Sequence, residues 1–461
     1  MKAKAHKLFL KSPSFIQNIA LSLYGLNARY IRYGGNYKIH YKNVSSHLKY
    51  SQNELDVYIK SSLQKTLKEA VLNVPYYREL FKKEKILLEH IKSIEDLSSI
   101  PVLEKDELRR APENLVNSNY DIDKLLVVHT TGTTGTPLNI YCDYETRRRN
   151  YAFYNRFLNS AGIATCGKKA TFGGRIIVPP EQTKPPFWRY SYFQKNLLFS
   201  SYHLNDENIP SYIEKLKKYK PDIVDSYPSS LYSIVKYAIS HNIDLSGVAK
   251  GITTSAETLF ADQRQLIEAA FNVPVYDQYG AVEMCVFIGQ CSKGRYHIHS
   301  DYGITEFLHK DGSKAKPGEE AEIVCTGFIN PVMPLIRYRI GDRGIYTDRP
   351  CECGSLFPVL EKILGRIDDV IITPDGRHVG RLSPVLKGFP VKEVQYIQRV
   401  KDVVEVYLVK DEQYYDSTEK ELLNALRLRL GHHIDIQVNY VSSIKRGKGG
   451  KLKSIISYLN K

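Results

Sequence analysis

Apolar residues recur at every fourth position through Leu55, Ile59, Leu63, Leu67 and Val71, a stripe that a helix gathers onto one face. Ser51 and Glu54 stand ahead of it in the spacing of a capping box, and Pro75 stands just past it. The spacing therefore predicts a helix that begins after Ser51 and stops before Pro75. Residues 1–50 show weak periodicity among many aromatic and basic residues, and the stretch through Ile100-Pro101-Val102-Leu103 reads as short helices and turns. Two β-prone runs follow, 125–129 and 138–142, with a loop between them.

From about residue 143 to 280 the pattern alternates between strand and helix. Residues 213–219 look helical until Pro221, 222–226 form a short buried-strand run, and 229–240 look helical again. A strand at 251–254, a helix at 259–271 and a strand at 273–276 continue the alternation. Such a succession predicts an α/β sheet with ligand sites at the C-terminal ends of its strands. Between 284 and 360 the character shifts to strands and turns, with strands at 304–308, 322–326 and 335–340. Farther on, 391–399 and 403–409 alternate like a hairpin, 419–430 looks helical and 434–440 strand-like. The expected architecture is a large α/β domain over 1–367, with parallel and mixed sheets and a strand-rich part at about 284–360. A small α+β domain over 368–461 follows it.

A chain of 461 residues can bury a large core, and 43% hydrophobic against 25% charged residues is ordinary for a globular protein. No apolar run reaches the ~18 residues a membrane helix needs. Lys2, Lys4, Lys7 and Lys11 precede the apolar run 15–21, but Gln17 and Asn18 break that run and no cleavage site follows, which argues against a signal peptide. Two readings stay open for this N-terminus: a basic amphipathic helix lying on an anionic membrane surface, and, preferred, a helix packed on the main domain. Net charge is +15, from 65 Lys and Arg against 50 Asp and Glu, which favours anionic partners. The basic residues are scattered, with short clusters at 147–149 and 445–453, and no nucleic-acid module is recognisable, so nucleic acid is not an expected partner. Seven cysteines, an odd number, point to a reducing cytoplasm rather than a disulfide framework.

The loop between the two β-prone runs is Thr130-Thr131-Gly132-Thr133-Thr134-Gly135-Thr136-Pro137. Glycines let consecutive amides point into one concavity and threonines add hydroxyl donors, a composition suited to a polyphosphate. No Gly-Lys-Ser/Thr follows, so this is not a Walker A loop. Taken alone it could equally be a Thr/Gly-rich hairpin turn.

The loop resembles the phosphate loop of acyl-adenylate-forming enzymes, and further resemblances follow in order. Tyr279-Gly280-Ala281-Val282-Glu283 resembles their Tyr-Gly-x-x-Glu motif, and Ile340-Gly341-Asp342 their ribose-binding aspartate. Gly365-Arg366-Ile367-Asp368-Asp369 resembles the hinge, and Gly450-Lys451-Leu452-Lys453 the C-terminal catalytic-lysine motif, although Gly447-Lys448 mimics it. Asn73-Val74-Pro75-Tyr76-Tyr77-Arg78 and Met333-Pro334-Leu335-Ile336-Arg337-Tyr338-Arg339 resemble the phenylacetate–CoA ligase branch, above all its capsule-biosynthesis (CapK-like) members.

That resemblance implies an AMP-forming ligase that activates a small carboxylic acid with ATP and Mg²⁺, then passes it to a thiol, expected to be coenzyme A. Thr130, Thr131, Gly132, Thr133, Thr134 and Gly135 would grip phosphates, Glu283 would hold Mg²⁺, and Lys451 would meet the α-phosphate and the acid. Asp342 would accept from the ribose, Ser255, Ala256 and Glu257 would line the adenine site, Tyr279 and Gly280 would lie beside the base, and Arg366 would contact ribose or phosphate. Asp368 would be the hinge of a mobile C-terminal lid. The wording 372–377 departs from typical phenylacetate ligases toward the capsule-associated group, which favours an acid destined for surface polysaccharide. An acyl or aminoacyl transfer to a sugar or carrier protein is the alternative, and a silent nucleotide-binding scaffold is the other. The expected acid-pocket segments, 171–180 and 225–230, hold no diagnostic charge pair.

Cys291, His297, Cys351 and Cys353 form a separate candidate set. Cys351-Glu352-Cys353 is tighter than the usual zinc-knuckle spacing, yet three thiolates and one imidazole are the composition of a tetrahedral structural Zn²⁺ site. His299 is the alternative nitrogen ligand, and free thiols with a surface histidine are the opposing reading. Some members of the resembled branch carry a similar set.

Overall fold

The computed structural model describes residues 3–129, 138–179, 181–204, 207–256, 259, 261–366, 370–374, 378–380, 382, 385, 389–410, 414–431, 433–442, 444 and 455–459. The helix Gln52–Asn73 begins and ends where the pattern places it. Ser51 and Glu54 close the capping box, and Pro75 opens the next helix, Pro75–Lys83, at a position where no intrahelical N–H is needed. Leu55, Ile59, Leu63 and Leu67 are buried in the main core. Each contributes about 1.5–3 kcal/mol of apolar transfer energy. The weak periodicity ahead of Ser51 conceals three further helices, Ala3–Lys11, Ser14–Tyr33 and Tyr37–Ser46.

A twelve-stranded sheet spans the body. In spatial order its strands are Gly303–Leu308, Glu320–Gly327, Tyr338–Thr347, Val359–Arg366, Tyr296–Ile298, Phe287–Gln290, Val275–Gly280, Ile252–Ser255, Ile223–Ser226, Lys169–Gly173, Asn196–Ser200 and Trp188–Ser191. Pairing is parallel from Val275–Gly280 to Asn196–Ser200 and antiparallel at both flanks. The parallel half carries helices Ile209–Tyr219, Pro228–Ser240 and Ala261–Phe271, with a core built from Ile213, Leu216, Val224, Leu231, Ile252 and Ile267. This is the mixed α/β fold that the alternating pattern predicts. Among the antiparallel strands, the one expected at 335–340 runs instead from Tyr338 to Thr347. Residues ahead of Tyr338 turn sharply, with Arg337 at φ 46°, and the Arg337 guanidinium is anchored to Glu306 and to the Ile100 carbonyl. Gly341, at φ 84°, lies where the pairing with Glu320–Gly327 slips between Glu322 and Val324.

The C-terminal stretch forms its own four-stranded sheet, ordered Asp435–Tyr440, Val403–Lys410, Val391–Val400 and Ile455–Ser457. The helix Asp416–Leu430 supplies Leu422, Leu426 and Leu430 to a hydrophobic cluster with Tyr396, Val404, Val406 and Leu408, separate from the two clusters of the body. The hairpin, helix and strand fall within a few residues of their predicted places. No described helix is long and apolar enough to cross a membrane.

Candidate functional site

The strands Leu126–His129 and Asn139–Cys142 pair antiparallel with His129 opposite Asn139, so they hold the ends of the Thr/Gly loop together. Thr130 to Pro137 themselves lie outside the described residues, as do Glu257, Asp368, Lys448 and Lys451. Two stretches singled out by resemblance meet in the core beneath this hairpin. The Ile336 N–H donates to Tyr77 Oη at 2.9 Å, and the Tyr141 N–H contacts Met333 Sδ at 3.4 Å.

Parallel strands deliver the next residues to one edge. Ser255 ends the strand Ile252–Ser255 opposite Gln278, and Ala256 follows with φ 66°, a left-handed conformation unusual for alanine. Tyr279 and Gly280 close the neighbouring strand. The Tyr279 hydroxyl donates to Asp342 Oδ2 at 2.7 Å, which brings together two motifs 63 residues apart. Burial, with the Asp342 carboxylate behind it, holds the Tyr279 phenol well above its ordinary value, so it stays a donor. The other oxygen, Asp342 Oδ1, is buried and has no hydrogen-bond partner among the described residues. A buried carboxylate oxygen left unpaired is costly, so this atom fits a ligand hydroxyl. Arg366 stands opposite Asp342 in the strand register.

Glu283 is buried beside this corner. Its Oε1 accepts from Tyr338 Oη at 3.1 Å and lies 3.7 Å from Lys105 Nζ. Lys105 also reaches the Ile340 carbonyl at 3.2 Å, next to the Gly341-Asp342 turn. No motif marks Lys105, because its role appears only when its helix, Lys105–Arg110, packs on the strand Tyr338–Thr347.

A second charge arrangement was hidden from the sequence. Asp225, in a segment with no charge pair of its own, is bonded to Lys169 Nζ at 2.7 Å. Burial alone would lower the Lys169 value, but the Asp225 carboxylate outweighs it and keeps the lysine charged. Arg32 and Arg147 stack over the Tyr151 ring at 4.6 and 5.4 Å, and Arg147 touches Met284 Sδ beside Glu283. These cations gather around Tyr151 and Tyr154 of the helix Tyr144–Ser160, with Lys169 Nζ 5.6 Å from the Tyr154 ring.

The thiol set assembles as a compact cluster. The candidate ligand atoms of Cys291, His297, Cys351 and Cys353 all lie within 4.8 Å of one another. Cys291 Sγ is 3.7 Å from Cys351 Sγ, close to the edge of about 3.8 Å expected for a tetrahedron with 2.3 Å zinc–sulfur bonds. His297 Nδ1 faces the Phe357 carbonyl at 2.9 Å and Nε2 lies 3.3 Å from Cys353 Sγ, so the ring orientation leaves Nε2 for a metal. Burial lowers the His297 value and favours the neutral imidazole. His299, the alternative ligand, belongs elsewhere: its Nδ1 faces Arg156, which is paired with Asp301.

Residues 371–458 match the family model described as the CapK C-terminal domain. Protein CapK of Staphylococcus aureus is 29% identical over 394 residues, 84% of this chain and 85% of that protein. Phenylacetate-coenzyme A ligase of Thermus thermophilus is 22% identical over 442 residues, 83% of this chain and 92% of that protein. Among solved structures, 2-hydroxyisobutyryl-CoA ligase in a postadenylation state superposes with a TM-score of 0.62 over 89% of this chain and 91% of that one, at 18% identity, which establishes a shared fold. These likenesses support the resemblance to acyl-adenylate-forming enzymes over most of the chain. Its curated relatives are Protein CapK and phenylacetate-coenzyme A ligases, and its residues 371–458 match the CapK C-terminal domain.

Proposed function

We propose that the chain is an ATP-dependent, AMP-forming ligase that converts a carboxylic acid to its acyl-adenylate and passes the acyl group to coenzyme A. The observation that carries this reading is the Tyr279–Asp342 corner, where one carboxylate oxygen is held by a phenol and the other is buried with no partner among the described residues. A ribose hydroxyl donating to Asp342 Oδ1 would complete that valence. Ser255 and Ala256 would then border the adenine, and Thr130, Thr131, Gly132, Thr133, Thr134 and Gly135 the phosphates.

A carboxylate must approach an anionic triphosphate, so cations have to offset charge as pyrophosphate leaves. Both described contacts of Glu283 fall on Oε1, which leaves Oε2 for Mg²⁺, a hard ion that prefers oxygen ligands and would neutralise phosphate charge there. Lys451, and not Lys448, would bring its ammonium to the α-phosphate. Residues 368–461 would act as a lid turning at Asp368, with Lys451 inward for adenylation and withdrawn for thioester formation. The Cys291/His297/Cys351/Cys353 cluster would hold a structural Zn²⁺, because a closed four-ligand set leaves no open coordination position. A role in making surface polysaccharide is supported by the likeness to Protein CapK and by the capsule-type wording after the hinge.

The test is acid-dependent exchange of labelled pyrophosphate into ATP, screened against a library of carboxylic acids, followed by a thiol-acceptor assay with coenzyme A. The proposal expects exchange with a subset of acids and AMP release on adding coenzyme A. Exchange without thioester formation would favour transfer to a sugar or carrier protein. ATP binding without exchange for any acid would favour a silent scaffold.

A further inference from the structure

The helix Ser14–Tyr33 has two apolar faces, and only one of them is covered. Gln17, Leu21, Gly25 and Ala28 are buried against the body. The strand Trp188–Ser191 packs there: the Tyr190 N–H donates to Asn18 Oδ1 at 2.9 Å and Ser191 Oγ to the Leu21 carbonyl at 3.2 Å. A Cβ at Gly25 would collide with Ser191, so the close approach fixes which side faces inward. The helix is thus packed on the main domain, as the preferred reading of the N-terminus expects, but the packing leaves a second stripe outside.

That stripe is Phe15, Ile16, Ile19, Leu23, Leu26 and Tyr30, all exposed, with Phe15 at 64% and Tyr30 at 62%. At 100° per residue these six fall within roughly 100° of arc, centred roughly 170° from the buried face. Single exposed apolar residues need no explanation, whereas six aligned on one helix form a patch. The charge around it is one-sided. Residues 1–53 carry nine Lys and Arg and no Asp or Glu, so this segment holds nine of the fifteen net positive charges of the chain. Lys11, Lys38 and Lys42 are exposed on the adjoining helices.

We propose that this outward face of Ser14–Tyr33 docks the protein onto an anionic lipid surface, with the helix lying in the interfacial plane. The apolar stripe would enter the headgroup–acyl boundary while the surrounding lysines meet anionic headgroups. A second copy of the chain is the other candidate occupant, and charge opposes it. Face-to-face pairing would set two acid-free basic segments against one another, a like-charge juxtaposition that interfaces avoid. No described helix can cross the bilayer, so the association would be peripheral. This inference is independent of the reaction catalysed.

The test uses the full-length chain and vesicle cosedimentation, with vesicles of phosphatidylcholine alone or containing phosphatidylglycerol. Binding is expected only to the anionic vesicles and should weaken as salt rises. Ile19→Glu/Leu23→Glu, with both positions exposed, should lower vesicle binding roughly tenfold or more while the melting temperature is kept. Should that variant fail to fold, Lys7→Gln/Lys11→Gln/Lys42→Gln leaves the stripe intact and should weaken binding to anionic vesicles. Equal binding to both vesicle types, or variants that bind like the wild type, would overturn the proposal. A wild-type dimer in sedimentation velocity that Ile19→Glu/Leu23→Glu dissolves, without vesicle binding, would assign the face to self-association and overturn it too.

Discussion

The Asp342 corner and the Cys351 cluster border the same strand, Val359–Arg366, at its two ends, and their polar groups are completed in opposite ways. At one end Asp342 faces Arg366, and a buried oxygen is left without a partner among the described residues. At the other His297 faces Val359, and four candidate ligand atoms converge on each other. Among the described residues the first arrangement leaves one acceptor open. The second is closed and could take in nothing larger than an ion. An oxygen held unpaired in the interior costs stability and is expected where a ligand binds, whereas a converged thiol–imidazole set ties two turns together.

The sharpest way to break this contrast is to open the closed end. Cys351→Ser/Cys353→Ser should remove the proposed zinc, from about one per chain to none by elemental analysis, and lower stability by more than about 4 kcal/mol. Any activity loss should follow the fraction unfolded. Unchanged metal content and melting temperature in that variant would remove the zinc proposal.

The open end should respond in reverse. Glu283→Gln keeps the shape and a bond to Tyr338 but removes the charge proposed to hold Mg²⁺. Acid-dependent pyrophosphate exchange should fall roughly 10²–10³-fold with little change in melting temperature. A large loss of stability with no specific loss of exchange would instead make Glu283 structural.

Asp277 lies between the two ends and sharpens the comparison through pH. It accepts from Thr254 and from Tyr296, the neighbour of His297. Burial pushes its carboxyl up to about 6, against the pull of those two bonds. Because folding raises the value, the protonated form favours the folded state. Its contribution is complete below the unfolded value near ~4 and is lost as pH rises through about 6. Relative to Asp277→Asn, wild-type stability should therefore decline between these limits by on the order of 3 kcal/mol. A pH-independent difference in urea unfolding would contradict the buried assignment.

The smallest expected effect falls on Asp342→Asn, which retains an acceptor but loses the charge. ATP binding should weaken by about 1.5–3 kcal/mol while the acid is bound as before. Equal weakening of acid and ATP would place Asp342 outside the ribose contact.

Much of this was legible in the sequence because local signals agreed with the fold. Leu55 to Leu67 with Ser51 and Glu54 carried the long helix, and the alternation after residue 143 carried the parallel strands. The Tyr279 and Asp342 motifs named residues that do meet. Three features were not legible. The helices ahead of Ser51 lack a single apolar period because Ser14–Tyr33 has apolar residues on opposite faces. Lys105 beside Glu283 and Lys169 beside Asp225 are tertiary pairs, separated by 178 and 56 residues, that no local spacing encodes. The choice between His297, the preferred ligand, and its alternative His299 depended on which ring met Arg156, a contact made only after the helix Tyr144–Ser160 packs on the sheet.

The central claim, that this chain adenylates an acid, is tested most directly by acid-dependent pyrophosphate exchange in the wild type and in Lys451→Ala. The account predicts exchange that requires ATP, Mg²⁺ and an acid, and that falls roughly 10²–10³-fold in Lys451→Ala while ATP binding persists. Exchange unchanged in Lys451→Ala but lost in Lys448→Ala would contradict the assignment of the lysine, and no exchange with any acid would contradict the claim itself.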